Sequence, residues 1–302
     1  MSFSSLGLSE QLVRATTDQG YDTPSPIQAQ AIPAVLSGKD VMAAAQTGTG
    51  KPAGFTLPIL QRLSANPRSG KGPRALILTP TRELAAQVHD SVALYSRYMP
   101  TRSAVVFGGV KINPQMMKLR KGLDILVATP GRLMDLHQQN AVSFHEVEVL
   151  VLDEADRMLD MGFQDSIDDI IAKLPETRQT LLFSATWPGS IRSLSHSYQH
   201  NPIDIRVTDD EPAPDIEQTF YEIQPGQQAD TLAAILSERQ PASCLAFCST
   251  RQQCDELAAT LSHRGFSAAA LHGDLDQKER DAVLVRFSNQ SVTVLVATDV
   301  AA

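Results

Sequence analysis

The sequence predicts an α/β fold: a doubly wound parallel β-sheet with helices on both faces, followed by an incomplete second lobe of the same kind. Short apolar segments alternate with amphipathic ones, which is typical of parallel strands buried on both faces. The 302 residues also exceed the length of one typical domain. An acidic, proline-containing stretch at residues 208–216 interrupts the alternation. We therefore predict a lobe at 1–207, a linker and a second lobe at 217–302.

Six strands are predicted in the first lobe, at Val41–Ala44, Ala75–Thr79, Ala104–Phe107, Ile125–Ala128, Val147–Leu152 and Thr180–Phe183. Segments with helical spacing separate them, such as Glu83–Tyr98 and Gln164–Leu174. Ligands of open α/β sheets bind at the carboxyl ends of the strands. The residues that directly follow each strand are therefore the first candidates for a functional site.

Four further strands are predicted in the second lobe, at Gln218–Ile223, Ser243–Phe247, Ala268–Leu271 and Val292–Ala297. The sequence stops shortly after the last of them, which would leave one side of that sheet uncovered. We therefore expect this lobe to be truncated.

The composition is that of a soluble globular protein, with 42% hydrophobic and 20% charged residues. No apolar segment is long enough to span a bilayer, and the first residues lack the features of a secretory signal. The three cysteines, Cys244, Cys248 and Cys254, are too few for a disulfide framework and lack a nearby fourth ligand for zinc. These features favour a cytoplasmic protein, and we expect a monomer without a membrane partner.

The net charge of −8 argues against bulk electrostatic attraction to nucleic acid. It leaves room for a local site that holds phosphates with backbone amides, helix N-termini and a few arginines.

A candidate phosphate-binding loop follows the first strand and consists of Ala45, Gln46, Thr47, Gly48, Thr49, Gly50 and Lys51. Its small residues let backbone amides converge on phosphate oxygens, and the following helix adds its positive N-terminal end. Lys51 would reach the β- and γ-phosphates. A tight turn without a ligand is the alternative, but the position between a buried strand and a helix favours nucleotide binding.

Pro52 stands where phosphate loops of this kind carry the Ser or Thr that ligates Mg²⁺. Proline is tolerated in the first turn of a helix, so folding should be unaffected. It offers neither a hydroxyl for the metal nor an N–H for a phosphate oxygen. We therefore expect weakened ATP binding and severely impaired hydrolysis.

Adjacent carboxylates follow the strand Val147–Leu152, at Asp153 and Glu154. Asp153 could hold Mg²⁺ through water, and Glu154 could polarise an attacking water. An acidic helix N-terminus without catalytic function is the alternative. The combination with the phosphate loop favours a nucleotide hydrolase.

Further short motifs recur along the chain in a specific order. They are Phe3 with Gly20–Gln28, Pro80–Ala85, Gly108–Gly109, Thr129–Arg132, Asp153–Asp156, Ser184–Thr186, Leu245–Thr250, Gln277–Arg280 and Ala297–Asp299. Each alone is weak, since such motifs often mark only turns. Together they resemble the DEAD-box family of superfamily 2 RNA helicases over essentially the whole chain. The first half is more similar to the RhlE type, and the part from about Gln164 onward to the DbpA type.

The resemblance implies RecA-like lobes that bind ATP with Mg²⁺ and separate short RNA duplexes. Tyr21 would stack on adenine, Gln28 would contact the base edge, and Asp156 would link the ATP state to strand separation by hydrogen bonds with Ser184 and Thr186. The residues that would hold the RNA backbone, with little sequence preference, are Arg82, Gly109, Thr129, Arg132, Thr250 and Thr298. Glu83 follows Arg82 in the same motif. The alternative to a role at the RNA is that Glu83 only caps or braces its helix.

Two departures from the family pattern bear on activity. Members supply arginine fingers from a later, arginine-rich motif that these 302 residues do not include. Together with Pro52, this predicts impaired hydrolysis, so a nucleotide- and RNA-binding module without turnover is the alternative hypothesis. A DNA-directed translocase of the same superfamily is disfavoured by the motif around Gln28 and by the Asp153–Asp156 tetrad.

Overall fold

The computed structural model describes residues 2–46, 48–66, 70–207 and 216–298. The chain divides into two compact units, residues 1–212 and 213–302. The predicted linker, apart from Ile216, lies outside the described residues. No helix in the described ranges has both the length and the apolar character that crossing a bilayer requires.

Unit 1 is built on a seven-stranded parallel sheet in the order β3-β4-β2-β5-β6-β1-β7. The strands are β1 (Val41–Ala44), β2 (Ala75–Leu78), β3 (Ser103–Val106), β4 (Ile125–Ala128), β5 (Val149–Leu152), β6 (Gln179–Ser184) and β7 (Ile203–Arg206). After a 3-10 turn at Phe3–Leu6, its helices are α1 (Glu10–Thr17), α2 (Pro26–Leu36), α3 (Lys51–Ala65), α4 (Arg82–Tyr95), α5 (Ile112–Arg120), α6 (Pro130–Gln138), α7 (Ala155–Asp160), α8 (Gln164–Ile171) and α9 (Gly189–Tyr198).

The central strands are apolar throughout because alternate residues enter two separate cores. Ile77 and Val151 point into the core covered by α1 to α4. Their neighbours Leu78 and Leu152 point into the core covered by α5 to α9. The predicted fold class, a doubly wound parallel sheet with helices on both faces, is confirmed.

Unit 2 has a smaller parallel sheet of three described strands, in the order β8-β10-β9. The strands are β8 (Cys244–Phe247), β9 (Ala268–Leu271) and β10 (Val294–Ala297), and the helices are α10 (Gln228–Arg239), α11 (Arg251–His263) and α12 (Gln277–Ser288).

The predicted strand at Gln218–Ile223 is wrong. These residues form no strand, and Phe220 is 90% exposed. Their aromatic and β-branched residues favour a strand, but among the described residues no neighbouring strand accepts their backbone hydrogen bonds. Conversely, β7 was not predicted, because a four-residue edge strand with two charged residues lacks a continuous apolar run.

Candidate functional site

The candidate phosphate loop connects β1 to α3. Gly48 and Gly50 both have left-handed backbone conformations, with φ of 87° and 83°, which side chains other than glycine rarely adopt. Helix α3 begins at Lys51, and Pro52 lies in its first turn, where no helical hydrogen bond requires its N–H. The proline is therefore compatible with the fold, as expected. Thr47 lies outside the described residues.

Lys51 is the most unusual residue of this loop. It is 4% exposed, and its Nζ has no hydrogen-bond partner in the described part of the chain. A buried ammonium without partners is strongly unfavourable unless an anion compensates it. The loop geometry therefore fits a phosphate group, which would supply the missing acceptors.

Asp153 lies directly after β5 and is 2% exposed. Burial raises the pKa of Asp153 to about 7; the charge of Lys51 acts to lower this pKa, and that of Glu154 to raise it. The two groups thus interact electrostatically, although among the described residues they form no ion pair within 4.0 Å. The structure thus brings the phosphate loop and the acidic pair to one place at the carboxyl edge of the sheet.

Glu154 adopts a left-handed conformation with φ of 51°, which costs on the order of 1–3 kcal/mol for a residue other than glycine. Its backbone N–H donates to Asp153 Oδ1 at 3.0 Å. Its carboxylate is 3.7 Å from the guanidinium of Arg157, and Oε2 is buried without a hydrogen bond. This backbone conformation holds the carboxylate beside Asp153.

Asp156 links α7 to the segment after β6. Its Oδ2 accepts hydrogen bonds from the N–H and the hydroxyl of Thr186, at 2.9 and 2.7 Å. Burial acts to raise the pKa of Asp156, but the hydrogen bonds to its carboxylate, led by those from Thr186, together outweigh it and leave the pKa below its ordinary value. Ser184, at the end of β6, is fully buried. The expected hydrogen bond between Asp156 and Thr186 is present, and its coupling role stays a prediction.

The N-terminus of α2, with its capping residue Ser25, contacts the phosphate loop. Gln28 Nε2 donates to Gly50 O at 3.0 Å, and Ser25 Oγ donates to Thr49 O at 2.8 Å. Gln28 Oε1 accepts from the N–H of Ser25 at 3.0 Å. Both ends of the Gln28 amide are thus engaged within the protein, rather than free for a base edge. Tyr21 is 52% exposed.

Ser25 lies within the motif Gly20–Gln28, and the resemblance implies no contact for it. Its spacing to Gln28 is that of a capping box, Ser-x-x-Gln, which predicts the N-terminus of α2. That signal predicts a helix start but does not indicate that both side chains also bind carbonyls of the phosphate loop.

A second cluster lies at the carboxyl ends of β2, β3 and β4. The guanidinium of Arg82 packs so closely on Gly109 that a Cβ there would overlap it. Arg132 donates to Val110 O at 3.0 Å, and its side chain is 10% exposed, with Nε and one terminal nitrogen lacking hydrogen bonds. Thr129 begins α6 and is buried. The structure therefore brings together the four unit 1 residues that the resemblance associates with RNA.

Thr250 and Thr298 each follow a strand of unit 2 at its carboxyl end. Thr250 follows β8 and caps α11, accepting a hydrogen bond from the N–H of Gln253 at 3.2 Å. Thr298 follows β10 and is buried. Because β8 and β10 are paired in parallel, the two threonines lie at one edge of that sheet.

Comparisons with known proteins match the two units to separate family models. Residues 25–194 match the DEAD/DEAH box helicase family, and residues 227–302 match the helicase conserved C-terminal domain. The sequence is 48% identical over 284 residues to the ATP-dependent RNA helicase DbpA of Escherichia coli. It is 41% identical over 301 residues to the DEAD-box ATP-dependent RNA helicase RhpA of Helicobacter pylori.

Solved structures show the same relationship. The chain resembles Dbp5 of S. cerevisiae bound to RNA and ADP BeF3, with a TM-score of 0.87 and 30% identity, over 99% of this chain and 76% of the other. It also resembles a DEAD box protein from Methanococcus jannaschii, with a TM-score of 0.66 and 35% identity, over 99% of this chain and 80% of the other.

The fold defines a protein of the RecA-like class with a candidate phosphate loop. The chain belongs to the DEAD-box helicase family. The match to DbpA covers 94% of this chain but 62% of DbpA. The match to RhpA covers 99% of this chain and 60% of RhpA.

The raised pKa of Asp153 predicts an unusual pH dependence of stability. In the folded chain the Asp153 carboxyl group keeps its proton up to about pH 7. In the unfolded chain it loses this proton near its ordinary pKa of 3.8. The free energy of unfolding should therefore fall as the pH rises between these values and then level off. Asp153→Asn should be roughly 2–4 kcal/mol more stable than the wild type at pH 8, with the difference vanishing toward pH 4.

Urea unfolding followed by the fluorescence of Trp187, the single tryptophan, measures this in unit 1. The exposed Asp160→Asn variant is the matched control and should follow the wild type at every pH. Parallel curves for Asp153→Asn and the wild type would contradict the assignment.

Proposed function

We propose that this chain carries the ATP- and RNA-binding machinery of an ATP-dependent RNA helicase, with hydrolysis impaired by Pro52. The observation that carries the proposal is the buried, unpartnered ammonium of Lys51 facing the carboxyl group of Asp153 behind a two-glycine loop. The names of the relatives, ATP-dependent RNA helicases, support the same activity. The prediction of a cytoplasmic monomer stays a prediction.

The phosphates of ATP are assigned to Lys51 and the amides of the loop 45–50. Gln46, Thr49 and Gly50 contribute through the loop backbone, and Thr49 Oγ1 stabilises it by donating to Gln46 O at 2.8 Å. Asp153 is the candidate for holding Mg²⁺, which would lower the pKa of this carboxyl group. The metal would supply charge neutralisation for the phosphates, while Glu154 is positioned to orient and deprotonate a water.

The adenine contact is assigned to Tyr21, whose ring is half exposed next to the loop-contacting segment. Gln28 acts differently in this proposal from the direct base contact that the resemblance implies. Since its amide holds Gly50 O, Gln28 supports the conformation of the phosphate loop, and a bound base would have to compete for the same amide.

RNA backbone binding is assigned to Arg82, Gly109, Thr129 and Arg132 in unit 1 and to Thr250 and Thr298 in unit 2. The support in unit 1 is geometric, because the Arg82 guanidinium, the Gly109 backbone and the Arg132 side chain are adjacent. Contacts of this kind are made to phosphate and sugar, so we propose little sequence preference. The hydrogen bonds from Thr186 to Asp156 would connect the nucleotide site to the RNA site.

A nucleotide- and RNA-binding module without turnover is the second candidate, and Pro52 specifically favours it. The proline removes one hydroxyl and one N–H at the start of α3, where metal and phosphate would otherwise be contacted. Loss of the hydroxyl affects the transition state most, because negative charge develops there.

Pro52→Thr should therefore raise the affinity for ATP in a Mg²⁺-dependent manner. Each charge-assisted hydrogen bond is worth about 1.5–3 kcal/mol, so the increase should be roughly 10- to 100-fold. ATP titrations with and without Mg²⁺, together with RNA-stimulated ATP hydrolysis, measure binding and turnover separately. Pro52→Ala is the matched control, since it restores the N–H but not the hydroxyl.

The hydroxyl is responsible if only the threonine variant gains Mg²⁺-dependent affinity and faster hydrolysis. Measurable hydrolysis at the same rate in the wild type and Pro52→Thr would refute the proposed impairment. Binding in both without hydrolysis would favour the module over the helicase.

Arg132→Gln should weaken binding of single-stranded RNA by about tenfold or more, because it removes a charged phosphate donor. The loss should be similar for RNAs of different sequence, as expected for a backbone contact. Equilibrium binding to two unrelated RNA sequences measures this, with the exposed Lys173→Gln as the control for loss of one charge. A loss confined to one sequence would mean that Arg132 contacts bases instead.

A further inference from the structure

A group of cations lies at the amino edge of the unit 1 sheet, opposite the phosphate loop. It consists of Lys71, which precedes β2, Arg102, which directly precedes β3, and three residues at the end of α5, Lys118, Arg120 and Lys121. All five side chains are exposed. Since the strands are parallel, this amino-edge basic surface is separated from the candidate ATP site by the length of the strands.

Hydrogen bonds hold the three segments of this surface together. A terminal nitrogen of Arg102 donates to Lys121 O at 3.3 Å, and Leu123 N donates to Lys71 O at 3.3 Å. The N–H of Asp124 donates to Arg102 O at 2.8 Å. The backbone segments that carry the cations are therefore fixed relative to one another.

Two shallow cavities lie along this surface and meet at Leu123. One, of about 460 Å³, is lined by Lys71 and Arg120. The other, of about 270 Å³, is lined by Arg102, Lys118 and Lys121. The two cavities share the lining residue Leu123, and the five cations are distributed between them.

Carboxylates lie near this surface without pairing with it; that of Glu146 accepts the N–H of Gly72, the residue after Lys71, at 3.1 Å. None of the five cations forms an ion pair with a described carboxylate. Asp124 is buried beneath them and accepts the backbone N–H of Arg102, while Asp90 lies beside His89 at the margin. Such a concentration of positive charge contrasts with the net charge of −8 for the whole chain.

The chemistry of the surface fits a flexible polyanion. Five separate exposed cations favour a chain of phosphates, bound with counterion release and without base recognition. No exposed large aromatic side chain is present there for base stacking. Helix α5 also starts two residues after Val110, next to Arg132, and its nine residues lead to the basic surface, about 14 Å away.

We propose that the amino-edge basic surface is a second, sequence-independent binding site for the sugar-phosphate backbone of RNA. It holds the part of a long RNA that extends beyond the primary cluster at Arg82 and Arg132. The choice of RNA as the polyanion rests on the proposed function. An acidic protein segment is the alternative ligand that the experiment distinguishes.

The test compares two triple variants that each remove three positive charges from exposed positions of unit 1. One is Lys118→Gln, Arg120→Gln and Lys121→Gln; the control is Lys39→Gln, Lys173→Gln and Arg192→Gln. Binding is measured over a range of salt concentrations with RNAs of about 8 and about 30 nucleotides, and with polyglutamate. Thermal unfolding of both variants checks that the fold is retained.

The surface variant should lose about tenfold or more in affinity for the long RNA, and its slope of log K against log salt should fall by about two. The short RNA and the control variant should show no change. Equal binding of the long RNA by the wild type and the surface variant, or no binding of it by the wild type, overturns the proposal. The proposal is also overturned if the surface variant loses its binding to polyglutamate but keeps its binding to the long RNA.

The proposed function can fail separately. If the wild type bound long RNA through this surface but bound neither ATP nor the short RNA, the function would be refuted and the second site would stand.

Discussion

The burial of the Lys51 ammonium beside Asp153 is the constraint on which the rest of the site depends. Neither group would be stable there alone, since burial of a charge is costly without compensation. With the pKa of Asp153 near 7, the carboxyl group is only partly ionised at neutral pH, so it does not fully neutralise Lys51. The Lys51 ammonium therefore stays available to the phosphate groups of a ligand, which would supply its missing hydrogen-bond acceptors.

The surrounding structure maintains this arrangement. Strand β6 separates β1 from β5 and holds their carboxyl ends at one edge, where Lys51 and Asp153 follow them. Ser25 and Gln28 bind carbonyls of the phosphate loop, and Thr186 binds Asp156 two residues after Glu154. Changes in the loop or in the acidic segment can thus reach neighbouring elements through single hydrogen bonds.

The sequence predicted elements well where burial on both faces produces continuous apolar runs. The strands Val41–Ala44, Ile125–Ala128 and Ala268–Leu271 were predicted with the observed bounds. Edge strands were harder to predict, because their pairing depends on partners that are distant in sequence. Aromatic and β-branched residues suggested a strand at Gln218–Ile223 that has no described partner, while the amphipathic β7 was missed.

The site was predictable as a set of residues but not as a set of contacts. Motif order indicated Lys51 and Asp153, since both follow buried strands. The sequence could not indicate that Gln28 binds Gly50 O, because that contact depends on how α2 packs on α3. Nor could it indicate the amino-edge basic surface, whose cations are separated by up to 50 residues and meet only through the sheet.

Selectivity for phosphates is the most direct measure of the Lys51 pocket. Titrations of ATP and AMP into the wild type and Lys51→Met compare two ligands that share a base and sugar but differ in their β- and γ-phosphates. The wild type should bind ATP more tightly than AMP, and Lys51→Met should lose most of this difference while retaining its affinity for AMP. An ATP preference that survives the substitution would mean that Lys51 does not face the phosphates and that the pocket is not the nucleotide site.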